Sequence, residues 1–392
     1  MQNEFYEFPL QRFITNEKLN RVKDFCKDKQ TPLLLIDLDV VKSKYVELQN
    51  LIPTSKIFYA VKANPMPEVL SLLKDLGSHF DTASRFELDL LLSLGVSPDK
   101  ISYGNTIKKQ ADVAYFYSKG VSLYVTDSIE DLICLSKHAP ESRVFFRMLT
   151  DCTGSDWPLS RKFGAHPDMT YSLITKATKL GLKPFGISFH VGSQQRDIGQ
   201  WDEAIARCRY LFDSANEAGI QLEMINIGGG FPANYVDETK PITDYVAEIQ
   251  RFLLEDFSDT SPAIYLEPGR SIVADAGIII SEVVRVSKKS KNTNNRWLYL
   301  DIGKFGGLIE TTDEAIKFPI YFDRQGYEEE VILAGPTCDS MDVLYEKYKY
   351  TIPSTMDAGD KVYIFTTGAY TQTYSSVAFN GFPPLKAYVL PD

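Results

Sequence analysis

The sequence is poor in the residues that build metal sites and covalent frameworks. It has only 4 histidines and no HExxH pair, so no metal centre is expected. Its 5 cysteines, Cys26, Cys134, Cys152, Cys208 and Cys338, are odd in number, scattered and without a CxxC spacing. That pattern argues against a disulfide framework and a zinc ribbon, and fits a reduced, cytoplasmic setting. No apolar run approaches the roughly 20 residues that span a bilayer. The opening MQNEFYEFPL has no basic stretch leading into an apolar core, so no secretory signal is expected. Long basic blocks are missing too. With a formal net charge of −10, nucleic acid and anionic membranes are unfavourable partners, whereas a small cationic molecule would be steered in.

What is present is an ordinary globular composition, 44% apolar and 24% charged over 392 residues. That length allows one large domain and a smaller one. From residue 56 onward, short β-branched or aromatic runs alternate with helical patterns. The strand candidates are KIFYAVK (56–62), SHFDT (78–82), KISYG (100–104), SLYVT (122–126), RVFFRML (143–149), FGISFHV (185–191), EMINIG (223–228) and AIYLE (263–267). Between them lie amphipathic stretches such as PEVLSLLKDLG and FELDLLLSLG, several closing on Gly77, Gly95, Gly120 or Gly181, the usual helix stop. This repeat predicts a (β/α)8 TIM-like barrel; an open, doubly wound sheet would share it, because pattern alone cannot count closure. The barrel is expected over 39–277. After it come IIISEVVRVS, RWLYLDI, EEVILAG and KVYIFTT without long helical patterns. With PLLLIDL (32–38), they predict an all-β domain from 278–392 plus the N-terminal segment 1–38. The basic stretch 288–296 reads as a solvated hairpin turn.

In a βα barrel, reactive groups sit where strands end and loops begin. Those positions hold Lys62, Asp81, Arg147, His190, Gly228, Gly229, Gly230, Glu267, Gly269 and Arg270. Lys62 ends an apolar strand, so it should be partly buried and available as a neutral amine for a Schiff base; a lysine reaching to solvent would give the same pattern. The glycines after the seventh strand, and Gly269 with Arg270 after the eighth, occupy the loops where barrels build phosphate sites. Glu267 could face a pyridine nitrogen or simply pair with an arginine. His190 could stack on a planar cofactor or be a hydrogen-bonded core residue. In the β domain, GPTCDSMD holds Cys338, Asp339 and Asp342, and GAYT holds Tyr370. A thiol beside a carboxylate is a poor nucleophile, because the negative charge disfavours the thiolate, but it can donate a proton.

Taken in order, YAVKANP, FDTASRFEL, ISYGNTIK, SRKFGA, GISFHVGSQ, GGGFP, EPGR, GPTCDSMD and GAYT resemble the pyridoxal-phosphate (PLP)-dependent group IV decarboxylases of the alanine-racemase fold, almost end to end. GKFGGLIETTDEAIKFPI and FNGFPPLKAY are most similar to the bacterial ornithine and lysine/ornithine branch. The resemblance implies PLP as cofactor, bound by Lys62 through a Schiff base, with His190 over the ring and Glu267 on the pyridine nitrogen. It implies phosphate contacts from Ser193, Gly228, Gly229, Gly230, Gly269, Arg270 and Tyr370, and support from Asp81, Glu87 and Arg147. It also implies a homodimer with shared sites, in which Cys338 protonates the product carbon and Asp339 binds a distal ammonium. A second distal carboxylate would be Asp313, with Glu310 and Glu314 as alternatives. The segment 150–161 would form a mobile cover, with Lys162 at its edge. The implied reaction is decarboxylation of ornithine to putrescine; lysine, giving cadaverine, is the alternative, and a non-catalytic regulatory homologue the remote one. Glu267 and the GPTCD cysteine argue against an alanine racemase. Asp339 argues against substrates with a distal carboxylate, such as diaminopimelate or carboxynorspermidine.

Overall fold

The structure is a computed structural model that describes residues 9–157, 161–292 and 296–391. Positions 1–8 and 392 of the expected β domain, 1–8 of the opening MQNEFYEFPL, 158–160 of the expected cover and 293–295 of the expected hairpin turn lie outside the described residues. The chain divides into two compact units, one of Lys42–Pro232 and Thr239–Ile272, the other of 9–41, Ala233–Glu238 and 273–391.

In the first unit, all eight short strands form and close into a parallel ring in chain order. They are Lys56–Ala60, His79–Thr82, Ile101–Tyr103, Leu123–Thr126, Arg143–Arg147, Lys183–Ser188, Met224–Asn226 and Ala263–Leu266. The last pairs with the first, Leu266 opposite Ile57, so the open sheet is excluded. Phe58, Leu123, Val125, Phe145, Phe185, Met224 and Tyr265 form one buried cluster although they come from strands all round the ring. They fill the barrel interior, each buried large side chain contributing about 1.5–3 kcal/mol.

Local signals set the helices. Ser84 and Ser128 accept from the N–H groups of Glu87 and Asp131 at 3.4 and 3.3 Å and start Arg85–Ser93 and Ile129–His138, caps worth about 1 kcal/mol each. Gly77, Gly95, Gly120 and Gly181 stand just past helices with φ between +74° and +92°. The side chain of Lys108, in the ISYGNTIK stretch, is fully buried. Its ammonium donates to Asp131 at 2.7 Å and to the Val125 carbonyl at 2.8 Å, joining the loop after the third strand to its neighbours.

The second unit is a mixed sheet of eight strands. Gly277–Lys288 is its spine: it pairs antiparallel with Leu33–Ile36, Lys361–Phe365 and Arg296–Leu300. Lys288 faces Arg296 across that hairpin. The unit is not all-β. Asn16–Cys26 is a helix started by Thr15, and its Leu19, Val22 and Cys26 pack on Leu33, Leu35, Ile278, Ile280 and Phe365. Strands Ile320–Phe322, Val343–Pro353 and Lys386–Val389 add to those expected. Glu346 interrupts the apolar face of VLYEKYKYTIP, and its strand is completed by pairing with Glu328–Ala334. Ala233–Glu238 belongs to this unit because its polar groups are used there. Asn234 binds Asp275 at 3.0 and 2.8 Å, the Thr366 hydroxyl donates to the Asn234 carbonyl at 2.7 Å, and the Val236 N–H donates to Lys317. Among the described residues, no helix is long and apolar enough to cross a membrane.

Candidate active site

The barrel unit carries the expected site residues at the C-terminal ends of its strands. Lys62 lies just past the first strand, in the 3-10 turn Val61–Ala63. Its side chain is 50% exposed, less buried than a strand-end position implies, because the turn carries it off the sheet. Its ammonium stands 4.0 Å from the carboxylate of Asp81, which is 3% exposed. Asp81 also accepts from the Ser102 hydroxyl at 3.1 Å. Burial, reinforced by the nearby Glu267, pushes the Asp81 carboxyl up to about 8, against the opposing pull of Lys62 and Ser102. Glu87 caps the following helix, its carboxylate accepting the Ala83 N–H at 2.6 Å. Burial raises its carboxyl too, with Ala83 and Lys62 working against the rise.

His190 follows the sixth strand. Its Nδ1 accepts the Gly192 N–H at 3.0 Å, so the ring proton sits on Nε2. Burial, with Arg147 and Lys62 nearby, holds the imidazole well below its usual range and therefore neutral. The His190 carbonyl is gripped by the Thr150 hydroxyl at 2.6 Å and the Cys152 thiol at 3.3 Å. Arg147 ends the fifth strand and lies over the Phe163 ring, 4.7 Å from its centroid. Burial lowers its guanidinium, while Glu267, Asp127 and Asp81 favour its charge.

The seventh and eighth strand ends interlock. Gly228 and Gly230 have φ of +70° and +96°, a region that favours glycine. A Cβ at Gly229 would lie 2.5 Å from the Glu267 carbonyl oxygen, and one at Gly230 would lie 2.6 Å from that of Gly192. The Glu267 N–H donates to the Gly228 carbonyl at 2.8 Å, and the Asn226 amide donates to the Glu267 carboxylate at 2.5 Å. Arg270, 3% exposed, donates from Nε to the Ser193 hydroxyl at 3.1 Å. Gly269 precedes it, accepting the Ile272 N–H at 3.1 Å. Beside Arg270, the Ser271 hydroxyl is buried without a hydrogen-bond partner.

Residues 38–274 match the family described as pyridoxal-dependent decarboxylase, pyridoxal binding domain. The chain belongs to that family. The lysine/ornithine decarboxylase of Selenomonas ruminantium is 32% identical over 375 residues, 95% of this chain and 92% of that protein. The ornithine decarboxylase of Schizosaccharomyces pombe is 35% identical over 357 residues, 88% of this chain and 80% of that one. Among solved structures, the lysine/ornithine decarboxylase of Vibrio vulnificus complexed with cadaverine has a TM-score of 0.87 at 30% identity, covering 97% of this chain and 100% of that chain. SrLDC in complex with PLP and cadaverine has a TM-score of 0.86 at 31% identity, over 96% and 94% of the two chains. This chain is a PLP-dependent amino-acid decarboxylase with the alanine-racemase-like barrel, and PLP is its cofactor.

The decarboxylase barrel fits that cofactor on its own geometry. The glycines at 228–230 let the backbone pack closely against the neighbouring strand ends, and in the adjoining loop the Arg270 guanidinium and the Ser271 hydroxyl, buried without a partner, are groups that suit an anion. Asn226, Thr150, Ser102 and Ser271 were not singled out in the sequence. The signal for Asn226 was available: it is a polar residue inside the apolar run MINIG, two positions before the glycines.

The β unit of the decarboxylase carries the remaining residues. Asp342, 2% exposed, is the knot of the GPTCDSMD loop. It accepts the Lys304 N–H at 2.8 Å and the Thr337 N–H and hydroxyl at 3.1 and 2.7 Å. A Cβ at Gly303 or Gly335 would strike it. Cys338 is exposed, and its N–H donates to the Asn380 side chain at 2.9 Å. Asp339 turns back on the Met341 N–H at 2.8 Å. Tyr370 has φ +54° and is half-buried. The three acids of ETTDEA separate clearly. Glu310 is buried, Glu314 accepts the N–H groups of Glu346, Lys347 and Tyr348 at 2.7–2.8 Å, and Asp313 is exposed with φ +54°.

The segment expected to form a mobile cover is tied down over much of its described length. Ser155–Trp157 pairs antiparallel with Ser193–Gln195, and Arg196 clamps Asp156 with bonds of 2.6–3.2 Å. The ladder is set by residues about 40 positions apart, which sequence pattern does not show.

Proposed function

We propose that this decarboxylase converts L-ornithine to putrescine and CO2. The observation that carries the substrate reading is the division of labour in ETTDEA. Glu314 is consumed by three backbone N–H groups and Glu310 is buried, so Asp313 is the carboxylate left at the surface, able with Asp339 to bind a distal ammonium. A chain of net charge −10 also favours a cationic amino acid. Similarity to lysine/ornithine decarboxylases supports a second reading, in which L-lysine is also used and yields cadaverine.

In this reading Lys62 holds the aldehyde carbon of the cofactor and Glu267 its ring nitrogen. His190 covers the ring face as a neutral imidazole. Gly228, Gly229, Gly230, Ser193, Gly269, Arg270 and Tyr370 hold the phosphate, while Asp81, Glu87 and Arg147 steady Lys62 and Glu267. When bound, PLP supplies a sink for the electron pair left on Cα as CO2 departs. The Glu267 carboxylate keeps a proton on the ring nitrogen. Cys338 would supply a proton from its Sγ to Cα, and Lys62 would be the amine that holds the cofactor when no substrate is bound.

Cys338 and Asp339 serve the site of a second copy, giving a homodimer with two shared sites. Exposed apolar side chains beside the GPTCD loop support that assembly: Met341 is 62% exposed, Val377 81% and Phe382 42%, a surface suited to covering. Mixing Lys62→Ala and Cys338→Ala proteins should give mixed dimers with one intact site and more amine product than the two proteins kept apart; no gain on mixing would sink the shared site.

Side-by-side kcat/KM for L-ornithine, L-lysine and L-arginine tests the substrate. One methylene is worth about 1–3 kcal/mol in such a pocket, so ornithine should lead lysine by about 10-fold or more. A lead for lysine would overturn the proposal, and parity would establish the dual reading.

A further inference from the structure

We propose that Asn226 is a positioning residue, holding Glu267 Oε1 as a hydrogen-bond acceptor and locking it to the glycine loop of the phosphate side. Asn226 is the last residue of the seventh strand and is 2% exposed. One end of its amide lies 2.9 Å from the Gly228 N–H. An N–H can only donate, so that end is the oxygen, and the other end is the NH2 group. That group points at Glu267 Oε1 at 2.5 Å and can only donate, so Oε1 must accept. The Glu267 N–H to Gly228 carbonyl bond closes the loop. The phosphate-side backbone and the carboxylate of the eighth strand are therefore one hydrogen-bonded unit with Asn226 at its centre.

The inference rests on PLP sitting with its ring nitrogen at Glu267, and the experiment separates the two. Asn226→Asp keeps an oxygen for the Gly228 N–H but sets a second carboxylate against Glu267. In the holoenzyme, kcat should fall far more than KM rises. PLP affinity measured by dialysis should drop roughly 10-fold or more, the scale of one lost charge-assisted hydrogen bond. The pH titration of the bound cofactor's absorbance should shift. The reversed pair N226D/E267Q restores one donor facing one acceptor, with the amide now on the eighth strand and the carboxylate on the seventh. It should regain the thermal stability and PLP retention lost by N226D, but not kcat, because a neutral amide cannot keep a proton on the ring nitrogen. Asn226→Ser, which removes both ends of the amide, should repeat the affinity loss if N226D does not fold. An N226D or N226S protein with wild-type PLP affinity, absorbance titration and kcat would overturn the role of Asn226, as would a reversed pair that recovers nothing. Wild-type protein that binds no PLP would instead sink the cofactor reading beneath it.

Discussion

Gly104 is packed so tightly against Asp81 that a Cβ on it would come to 1.7 Å from the Asp81 Oδ1 atom. The third strand end thus fixes the carboxylate that faces Lys62. Gly104→Ala should force Asp81 aside and break its 3.1 Å bond from Ser102. We expect a loss of about 1–3 kcal/mol in urea unfolding, as for overpacked interiors, together with weaker PLP retention. A variant with wild-type stability and PLP content would show that the Asp81 position is not set this way.

The raised carboxyl of Asp81 gives the cofactor-free protein a pH signature. The folded chain binds the Asp81 proton up to about 8, whereas an unfolded aspartate releases it near 3.9. Stability from this group is therefore full below about 4 and is lost as pH rises toward 8. His190 has the opposite sign. Its folded imidazole is held neutral, so its contribution is full above about 6.5 and is lost as pH falls. Asp81→Asn should flatten the decline of Tm between pH 5 and 8 seen by calorimetry (about the window between the two values). An unchanged slope in that variant would refute the assignment.

Glu314 and Asp313 are neighbours with separate expected effects. Glu314→Gln weakens three backbone hydrogen bonds and should lower stability by about 1–3 kcal/mol with little direct effect on KM. Asp313→Asn touches no such network and should raise KM for the diamino acid while leaving Tm within about 1 °C. Thermal melts and steady-state kinetics on both variants read this directly. The reverse pattern would move the distal-amine contact away from Asp313.

Cys338 is exposed and its backbone, not its thiol, makes the bond to Asn380. Cys338→Ala should therefore fold and retain PLP, while slowing or misdirecting protonation after CO2 release. Product analysis by chromatography should reveal a by-product or a rate loss. Unchanged amine formation would remove Cys338 from the reaction.

Much of the barrel was legible because a parallel strand buried on both faces needs an apolar run, and each helix announces itself by cap, periodicity and stop. KIFYA, LYVT and AIYL carry that information locally. The spine of the β sheet was legible for the same reason. Val343–Pro353 was not singled out, although Lys347–Ile352 alternates polar and apolar residues; Glu346 interrupts the apolar face, and the neighbouring strand completes the pairing. The helix Asn16–Cys26 was hidden for a related reason: its apolar stripe is short, and it is fixed by packing on a sheet whose strands come from distant parts of the chain.

At the site, the chain by itself determined the chemical types and their order. A lysine, an aspartate, a histidine, a glycine run and a glutamate each follow a predicted strand, and that depends only on local pattern. Tertiary structure alone decided how they are held. Pairing of the barrel strands brings Asn226 to Glu267, Gly104 to Asp81, Arg270 to Ser193 and Thr150 to His190, pairs separated by 23 to 77 positions in the chain. Hydrogen bonds and steric exclusion act over about 3 Å, so which oxygen accepts and which carboxylate stays at the surface are settled only after distant segments meet.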